Sequence, residues 1–216
     1  MFIPYTFTNL PKYSNGTEIA YTVEEASVPE GYTPETEGNR TEGFTITNTH
    51  IPGTTQVSGT KTWNDSNNQD GIRPTKITVN LLANNKIVKT IEVNNTDWSY
   101  SFSNLPKYAD GEEITYTISE EKVEGYTPTI TGYNIKNTHT PETTKVEGKK
   151  VWNDNNNQDG LRKDSVTIKL LADGVDTNKT TTATSDNNWT YKFDNLQKYK
   201  AEGTEIVYTV EEVPVE

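Results

Sequence analysis

Residues 57–71 read VSGTKTWNDSNNQDG, and residues 146–160 repeat them as VEGKKVWNDNNNQDG. In both copies the residues up to the Trp alternate between two faces, and a stretch rich in Asn, Asp and Gly follows. Period-two alternation predicts a strand with one buried face, and Asn, Asp and Gly favour turns. The repeat therefore predicts β modules that each begin with this strand and turn.

Three further segments recur in the same order along the chain. They are YSFSNLPKY at 100–108, with copies at 5–13 and 191–199; YTISE at 116–120, with copies at 21–25 and 208–212; and YNIKNTH at 133–139, with a copy at 44–50. Recurrence of this kind is the signature of tandem modules. We predict the C-terminal part of a module at 1–50, a complete module at 54–140, and a module lacking its last strand at 143–216.

The composition favours an all-β fold with a thin core. Hydrophobic residues make up 31% of the 216 residues, against about 45–50% in an average globular domain, a figure that also counts Gly. The chain has 36 Thr and 23 Asn, which favour strands and turns respectively. Together with the alternation, this predicts tandem antiparallel β-sandwich modules, one complete and two partial.

Charge and cysteine content exclude several classes of function. The net charge of −11 argues against binding to nucleic acid or to anionic membranes, because both require basic patches. The absence of Cys excludes disulfides, thiol catalysis and thiolate metal sites. No apolar run is long enough to span a bilayer, so we predict no membrane insertion.

Strand parity directs three polar side chains into the core of the complete module. Lys61 lies on the same face of the first strand as Trp63, which is predicted to point inward. By the same alternation, Glu120 lies on the inward face of its strand with Tyr116 and Ile118, and Asn137 lies on the inward face of its strand with Ile135. Burying a charge costs several kcal/mol unless it is paired or neutralised. We therefore expect the three side chains to meet.

Two interpretations of this trio follow from the residues alone. Desolvation lowers the pKa of an amine and raises that of a carboxylic acid, so a neutral lysine beside a protonated acid can attack the Asn carboxamide and release ammonia. The product would be an amide between Lys61 and Asn137, with Glu120 as the catalyst. The alternative is an ordinary buried Lys–Glu pair, with Asn137 accepting hydrogen bonds.

The motif V57-x-G-x-K61-x-W63-x-D65, followed by Y116-T-x-x-E120, G125-Y126 and I135-x-N137-T, resembles the B-type (Cna B-type) repeat of Gram-positive collagen adhesins. The resemblance covers the whole chain and implies prealbumin-like sandwiches. It also implies an intramolecular isopeptide bond that joins Lys61 to Asn137 with the assistance of Glu120. The family further implies an extracellular, cell-wall-anchored protein whose repeats form a stalk presenting an adhesive domain.

The outer modules depart from this pattern. Residues 1–50 contain Glu25 and Asn48 without a lysine strand, and residues 143–216 contain Lys150 and Glu212 without an asparagine strand. Neither can form the bond within itself, so the chain is interpreted as a fragment of a longer protein with neighbouring B-type repeats. Complementation between residues 44–48 and the last module, within one chain or between two, is a further hypothesis.

Other candidate sites are weaker. The Asp65–Gly71 stretch departs from the EF-hand calcium pattern and is better interpreted as a polar turn, although another type of calcium site remains open. The four Trp residues lie on inward faces of their strands, so we predict that they pack in the core and do not form a sugar-binding platform. His50 and His139 are interpreted as hinge residues. We predict no cofactor, no metal and no enzymatic turnover beyond self-cross-linking. A repeat that binds host matrix or glycan is the alternative function.

Overall fold

The computed structural model describes residues 5–214, so the first four residues of the predicted first module and the last two of the last module lie outside it. The regular structure in this range is all strand, apart from one 3-10 turn at Ala201–Gly203. The prediction of an all-β fold is confirmed. Within the described range no helix is long and apolar enough to cross a membrane.

Residues 5–50 of the first partial module form four strands that pair in two hairpins. They are β1 (Tyr13–Ser14), β2 (Thr17–Glu18), β3 (Thr33–Asn39) and β4 (Gly43–Thr49). β1 pairs with β2 and β3 pairs with β4, both antiparallel. Along β4, half-buried Phe44, Ile46 and Asn48 alternate with exposed residues, which is the alternation expected of a strand with one inward face.

The complete module contains nine strands in two main sheets. They are β5 (Thr54–Asn64), β6 (Lys76–Ala83), β7 (Lys86–Asn94), β8 (Ser99–Pro106), β9 (Tyr108–Ala109), β10 (Glu112–Glu113), β11 (Tyr116–Glu120), β12 (Thr127–Thr131) and β13 (Asn134–Thr138). One sheet has the order β11-β6-β7 and the other β12-β13-β5-β8. The core between the sheets includes Val57, Val79, Leu81, Leu105 and Ile135, each 2% exposed or less.

One strand pair in this sandwich is parallel. β13 runs beside β5 in the same direction, with Ile135 opposite Lys61 and Asn137 opposite Trp63. Sequence alternation predicts which face a residue occupies but not the direction of its neighbour, so the expectation of antiparallel strands is wrong for this pair. Parallel neighbours require a long connection, and here almost the whole module separates the two strands. The first and last strands therefore lie side by side.

Over residues 143–214 the last module repeats this architecture without a hairpin equivalent to β12 and β13. Its strands are β14 (Thr143–Lys149), β15 (Ser165–Ala172), β16 (Val175–Thr184), β17 (Thr190–Gln197), β18 (Tyr199–Lys200), β19 (Thr204–Glu205) and β20 (Tyr208–Glu212). β14 pairs with β17, and the second sheet has the order β16-β15-β20. Val166, Leu170, Ala183 and Leu196 form the centre of its core, each 2% exposed or less.

The chain packs as two compact units. One comprises the residues up to Thr55 together with Pro106–Glu113, and the other comprises Gln56–Leu105 together with the chain from Ile114 onward. Within the first unit, the backbone N–H of Lys107 donates to the carbonyl of Gly53 at 2.9 Å. The second unit contains both β5 and β13, and with them the candidate site.

Candidate cross-linking site

Lys61 and Glu120 form a buried ion pair across the sandwich. Lys61 lies on β5 in one sheet, and Glu120 is the last residue of β11 in the other. The lysine Nζ donates to Glu120 Oε1 at 2.7 Å, and the two side chains are 0% and 1% exposed. By contrast, Glu121 is exposed. Parity therefore predicted correctly which of the two glutamates faces the core.

Asn137 lies on β13, one inward position beyond Lys61 on the neighbouring parallel strand. With strands about 4.8 Å apart and a rise of about 3.3 Å per residue, the two Cα atoms are about 8 Å apart, within the combined reach of lysine and asparagine side chains. Asn137 is 0% exposed. Within the described residues, neither its Nδ2 nor its Oδ1 has a hydrogen-bond partner.

An unpaired buried carboxamide is costly, because each buried polar atom normally has a partner. The hydrogen bonds that an ordinary buried pair would give to Asn137 are not formed. Asn137 therefore lies on the strand next to that of Lys61 without the hydrogen bonds that would explain it as a structural asparagine. A buried amine and an unpaired carboxamide on neighbouring strands are the two groups that an acyl transfer would require.

The lysine occupies a dry environment that favours its neutral form. Its Nζ lies 4.3 Å from the centroid of the Trp63 ring, and Trp63 packs against Trp98 and Tyr126 with ring centroids 5.2 and 4.8 Å away. Burial lowers the pKa of Lys61, although Glu120 opposes the shift. Trp63 and Trp98 are partly buried against the core, as parity predicted. A lowered pKa increases the fraction of amine able to act as a nucleophile.

Each outer module contains part of the same set. In the first, Asn48 Nδ2 donates to Glu25 Oε2 at 2.7 Å. In the last, Lys150 Nζ donates to Glu212 Oε2 at 2.7 Å, with side chains 24% and 36% exposed. The Lys–Glu hydrogen bond therefore forms in the last module, where residues 143–214 include no strand equivalent to β13. The pair is fully buried in the central module, where β13 is present.

The polar turn after β5 is organised around Asp65, through contacts that the turn residues alone do not predict. Arg73 Nη2 and Nε donate to Asp65 Oδ1 and Oδ2 at 2.5 and 2.9 Å, and the Tyr126 hydroxyl and the Asn68 backbone also donate to this carboxylate. Both oxygens are therefore occupied by protein donors. Within residues 5–214 no group of three or more His, Cys, Asp or Glu side chains is arranged to hold a metal ion. The sequence does contain a signal for this ion pair, because the spacing of Asp65 and Arg73 recurs in Asp154 and Arg162, which also pair.

We expect protonation of Asp65 to lower the free energy of unfolding as the protein is acidified. Burial opposes its ionisation, but the hydrogen bonds from Arg73, Asn68 and Tyr126 hold its pKa at about 2, below the usual value of about 3.9. A depressed pKa contributes stability above the unfolded-state value that is lost as the pH falls through the folded-state value. Between about pH 5 and pH 1 the wild type should therefore lose about 2.6 kcal/mol from this group, of which about 1.8 kcal/mol falls between pH 4 and pH 2.

Chemical denaturation at several pH values would measure this loss. Asp65→Asn should be less stable than the wild type at pH 5 and approach it at pH 2. The exposed Asp159 serves as the matched control, and Asp159→Asn should follow the wild-type curve. A constant difference between Asp65→Asn and the wild type from pH 5 to pH 2 would contradict the expectation.

His139 has a more specific environment than a hinge residue requires. Its Nδ1 lies 2.8 Å from the carbonyl of Gly125 and its Nε2 lies 2.7 Å from Asp70 Oδ2. Burial alone would lower the pKa of His139, but the hydrogen bonds to Asp70 and Gly125 raise it. The backbone N–H of Glu142 donates to the same Asp70 oxygen at 2.8 Å. The segment between the last two modules is thus attached to the turn after β5.

Comparison with known proteins identifies the family. The family model of the Cna protein B-type domain matches residues 3–49, 57–138 and 146–216. The chain belongs to the Cna protein B-type domain family. The predicted family and the predicted set of one complete and two partial modules are confirmed, while the module boundaries at 1–50, 54–140 and 143–216 stay predictions.

Similar proteins include a collagen adhesin and solved B repeat units of a collagen-binding protein. A collagen adhesin of Staphylococcus aureus is 43% identical over 210 residues, which are 97% of this chain and 18% of the adhesin. The crystal structure of two B repeat units of the S. aureus collagen-binding protein has 43% identity and a TM-score of 0.56, covering 95% of this chain and 55% of that one. The structure of a single B repeat unit has 46% identity and a TM-score of 0.40, covering 76% of this chain and 87% of that one.

Proposed function

We propose that the central module forms an intramolecular isopeptide bond between Lys61 and Asn137, and that the chain acts as a stalk segment of an extracellular adhesin. The observation that carries the first part is the unpaired, fully buried carboxamide of Asn137 beside the strand that bears the buried Lys61–Glu120 pair. Membership of the Cna protein B-type domain family, together with 43% identity to a collagen adhesin, supports the second part.

The reaction balances without an external reactant. The neutral Lys61 amine attacks Cγ of Asn137, the new C–N bond forms, and the bond from Cγ to Nδ2 breaks. Glu120, already hydrogen-bonded to the amine, transfers the proton that the amine loses to the departing nitrogen, which leaves as ammonia. Fixed positions and exclusion of water supply the effective concentration. The reaction occurs once, so the protein is its own substrate and not a turnover enzyme.

The intact mass of the purified protein tests the bond. We expect the wild type to be lighter than its calculated mass by one ammonia, and Lys61→Ala and Glu120→Ala to have their calculated masses. Lys150→Ala is the matched control, because Lys150 has the same glutamate contact but no strand equivalent to β13 beside it in the described part of the last module. This variant should keep the wild-type mass deficit. A wild-type mass equal to the calculated value would contradict the proposal.

Complementation between the outer modules is a separate hypothesis about partners. Lys150 and Glu212 are paired, and Asn48 has a buried Oδ1 without a partner among the described residues. If residues 44–48 of one copy add to the last module of another, the same mass measurement would give a dimer lighter by one further ammonia. A monomer alone would exclude the intermolecular form.

The stalk role follows from the position of the bond. Force applied to the ends of a module passes through its first and last strands, and a bond from β5 to β13 would join these two strands covalently. The net charge of −11 also favours mutual repulsion and solubility of repeats. Saturable binding of host matrix or glycan by the isolated chain would instead favour the alternative function of a ligand-binding repeat.

A further inference from the structure

The turn after β5 forms a docking surface for a turn of the last module, and both lie in the second compact unit. The backbone N–H groups of Glu202 and Gly203 donate to the carbonyls of Asn68 and Gln69 at 3.2 and 3.0 Å. The side chain of Gln197 also donates to that of Gln69 at 3.2 Å. Because the backbone supplies the main contacts, the pairing depends on loop shape more than on side-chain identity.

Two glycines allow this close approach. A Cβ on Gly71 would lie 2.7 Å from the carbonyl carbon and oxygen of Glu202, and a Cβ on Gly203 would lie 2.7 Å from the carbonyl oxygen of Asp70. Both distances are too short for a real side chain. The two glycines also have φ values of +69° and +74°, which disfavour other residues. Close contact and backbone conformation therefore both require glycine at these two positions.

Asp70 fixes the connecting segment to the same surface. Its side chain is 3% exposed and pairs with His139, and it accepts the backbone N–H of Glu142 at the start of the last module. The loop thus holds both the segment that enters the last module and a turn within it. Two separate attachments restrict rotation more than one attachment does.

The last module presents a second copy of this loop. Residues 157–160 repeat the Asn-Gln-Asp-Gly of residues 68–71, and Asn157 is held by Asp154 and Arg162 as Asn68 is held by Asp65 and Arg73. Gly160 has a φ of +68°, close to that of Gly71, but a Cβ there would meet nothing within 4 Å. Asp159 and Gly160 are exposed. The second loop is therefore preformed and open.

We propose that the Asn-Gln-Asp-Gly loop is a docking surface for the glycine turn of another module of this family, occupied at 68–71 and open at 157–160. Turns equivalent to Ala201–Gly203 occur between β1 and β2 and between β9 and β10. Their glycines, Gly16 and Gly111, have φ values of +82° and +84° with open space around them. The occupant is thus a turn of the type that this chain contains three times. The proposal stands independently of the Lys61–Asn137 bond.

A pair of alanine variants tests the occupied surface. The chain has no Cys, so spin labels can be placed at Lys136→Cys and Lys179→Cys, which are exposed positions in the central and last modules. Gly71→Ala and Gly160→Ala both place alanine at positive φ, but only Gly71→Ala directs a methyl group into the 201–203 turn. We expect the measured distance distribution to broaden in Gly71→Ala and to match the parent in Gly160→Ala. Equal distributions in both variants would overturn the proposal.

A concentration series of amide NMR spectra tests the open surface. We expect the amides of residues 157–160 to shift together with those of Gly16 or Gly111 as the full-length chain is concentrated into the millimolar range. Gly160→Ala should abolish these shifts, because the methyl group would block the turn as it would at Gly71. Unchanged amides, shifts without involvement of the glycine turns, or shifts that persist in Gly160→Ala would each overturn the assignment.

Discussion

The Asn137→Ala variant should melt at a temperature lower than the wild type by on the order of 20 °C. In the chain-entropy description of cross-links, a bond that closes the loop from residue 61 to residue 137 stabilises the folded state by about 4.5 kcal/mol. Each kcal/mol shifts the melting temperature of a domain of this size by about 4–8 °C. Non-covalent losses should be small, because the Asn137 carboxamide has no hydrogen-bond partner to lose within the described residues.

Differential scanning calorimetry on the full chain would measure this effect, since the modules can melt in separate transitions. Asn137→Ala keeps both Lys61 and Glu120, so it leaves their buried ion pair with both partners. The control is Lys150→Ala, which alters the partly exposed counterpart of this pair and should leave the central transition in place. If Asn137→Ala melts within a few degrees of the wild type, the cross-link does not contribute the stability proposed for it.

Strand alternation was sufficient to predict the inward trio. Lys61 and Asn137 are 3% and 0% exposed, and the Glu120 side chain is 1% exposed, all from a period-two pattern in which each inward residue fixes the face of the next. The pattern could not predict that β13 runs parallel to β5. Strand direction depends on the path of the intervening chain, which alternation within one strand does not contain.

The contacts between the central and last modules could not be predicted from the sequence. The Thr and Pro residues around His139 predict a hinge, whereas its partner Asp70 lies 69 residues away in the chain. Likewise, the contact between Gly71 and Gly203 joins two turns that belong to different repeats. Internal repeats show which segments are equivalent, but they do not show which segment of one module touches the next.

Stretching the full chain from its two ends should distinguish the cross-linked from the uncross-linked protein by a large difference in released length. At about 3.3–3.6 Å per residue, the segment between residues 61 and 137 corresponds to roughly 260 Å of extended chain. With the bond in place this length stays inaccessible, because the load passes from Lys61 to Asn137 through the new amide. Without it, the segment extends when the central module unfolds.

Single-molecule force spectroscopy would measure the released length directly. We expect the Asn137→Ala chain to show one additional step of roughly 260 Å that the wild type lacks, and Lys150→Ala to behave as the wild type. Among residues 143–214 the last module has no strand equivalent to β13, so it should extend fully in all three proteins and provide an internal reference in every trace. A step of this length in the wild type as well would show that force does not bypass the loop, and that the central module resists extension only through its hydrogen bonds and core.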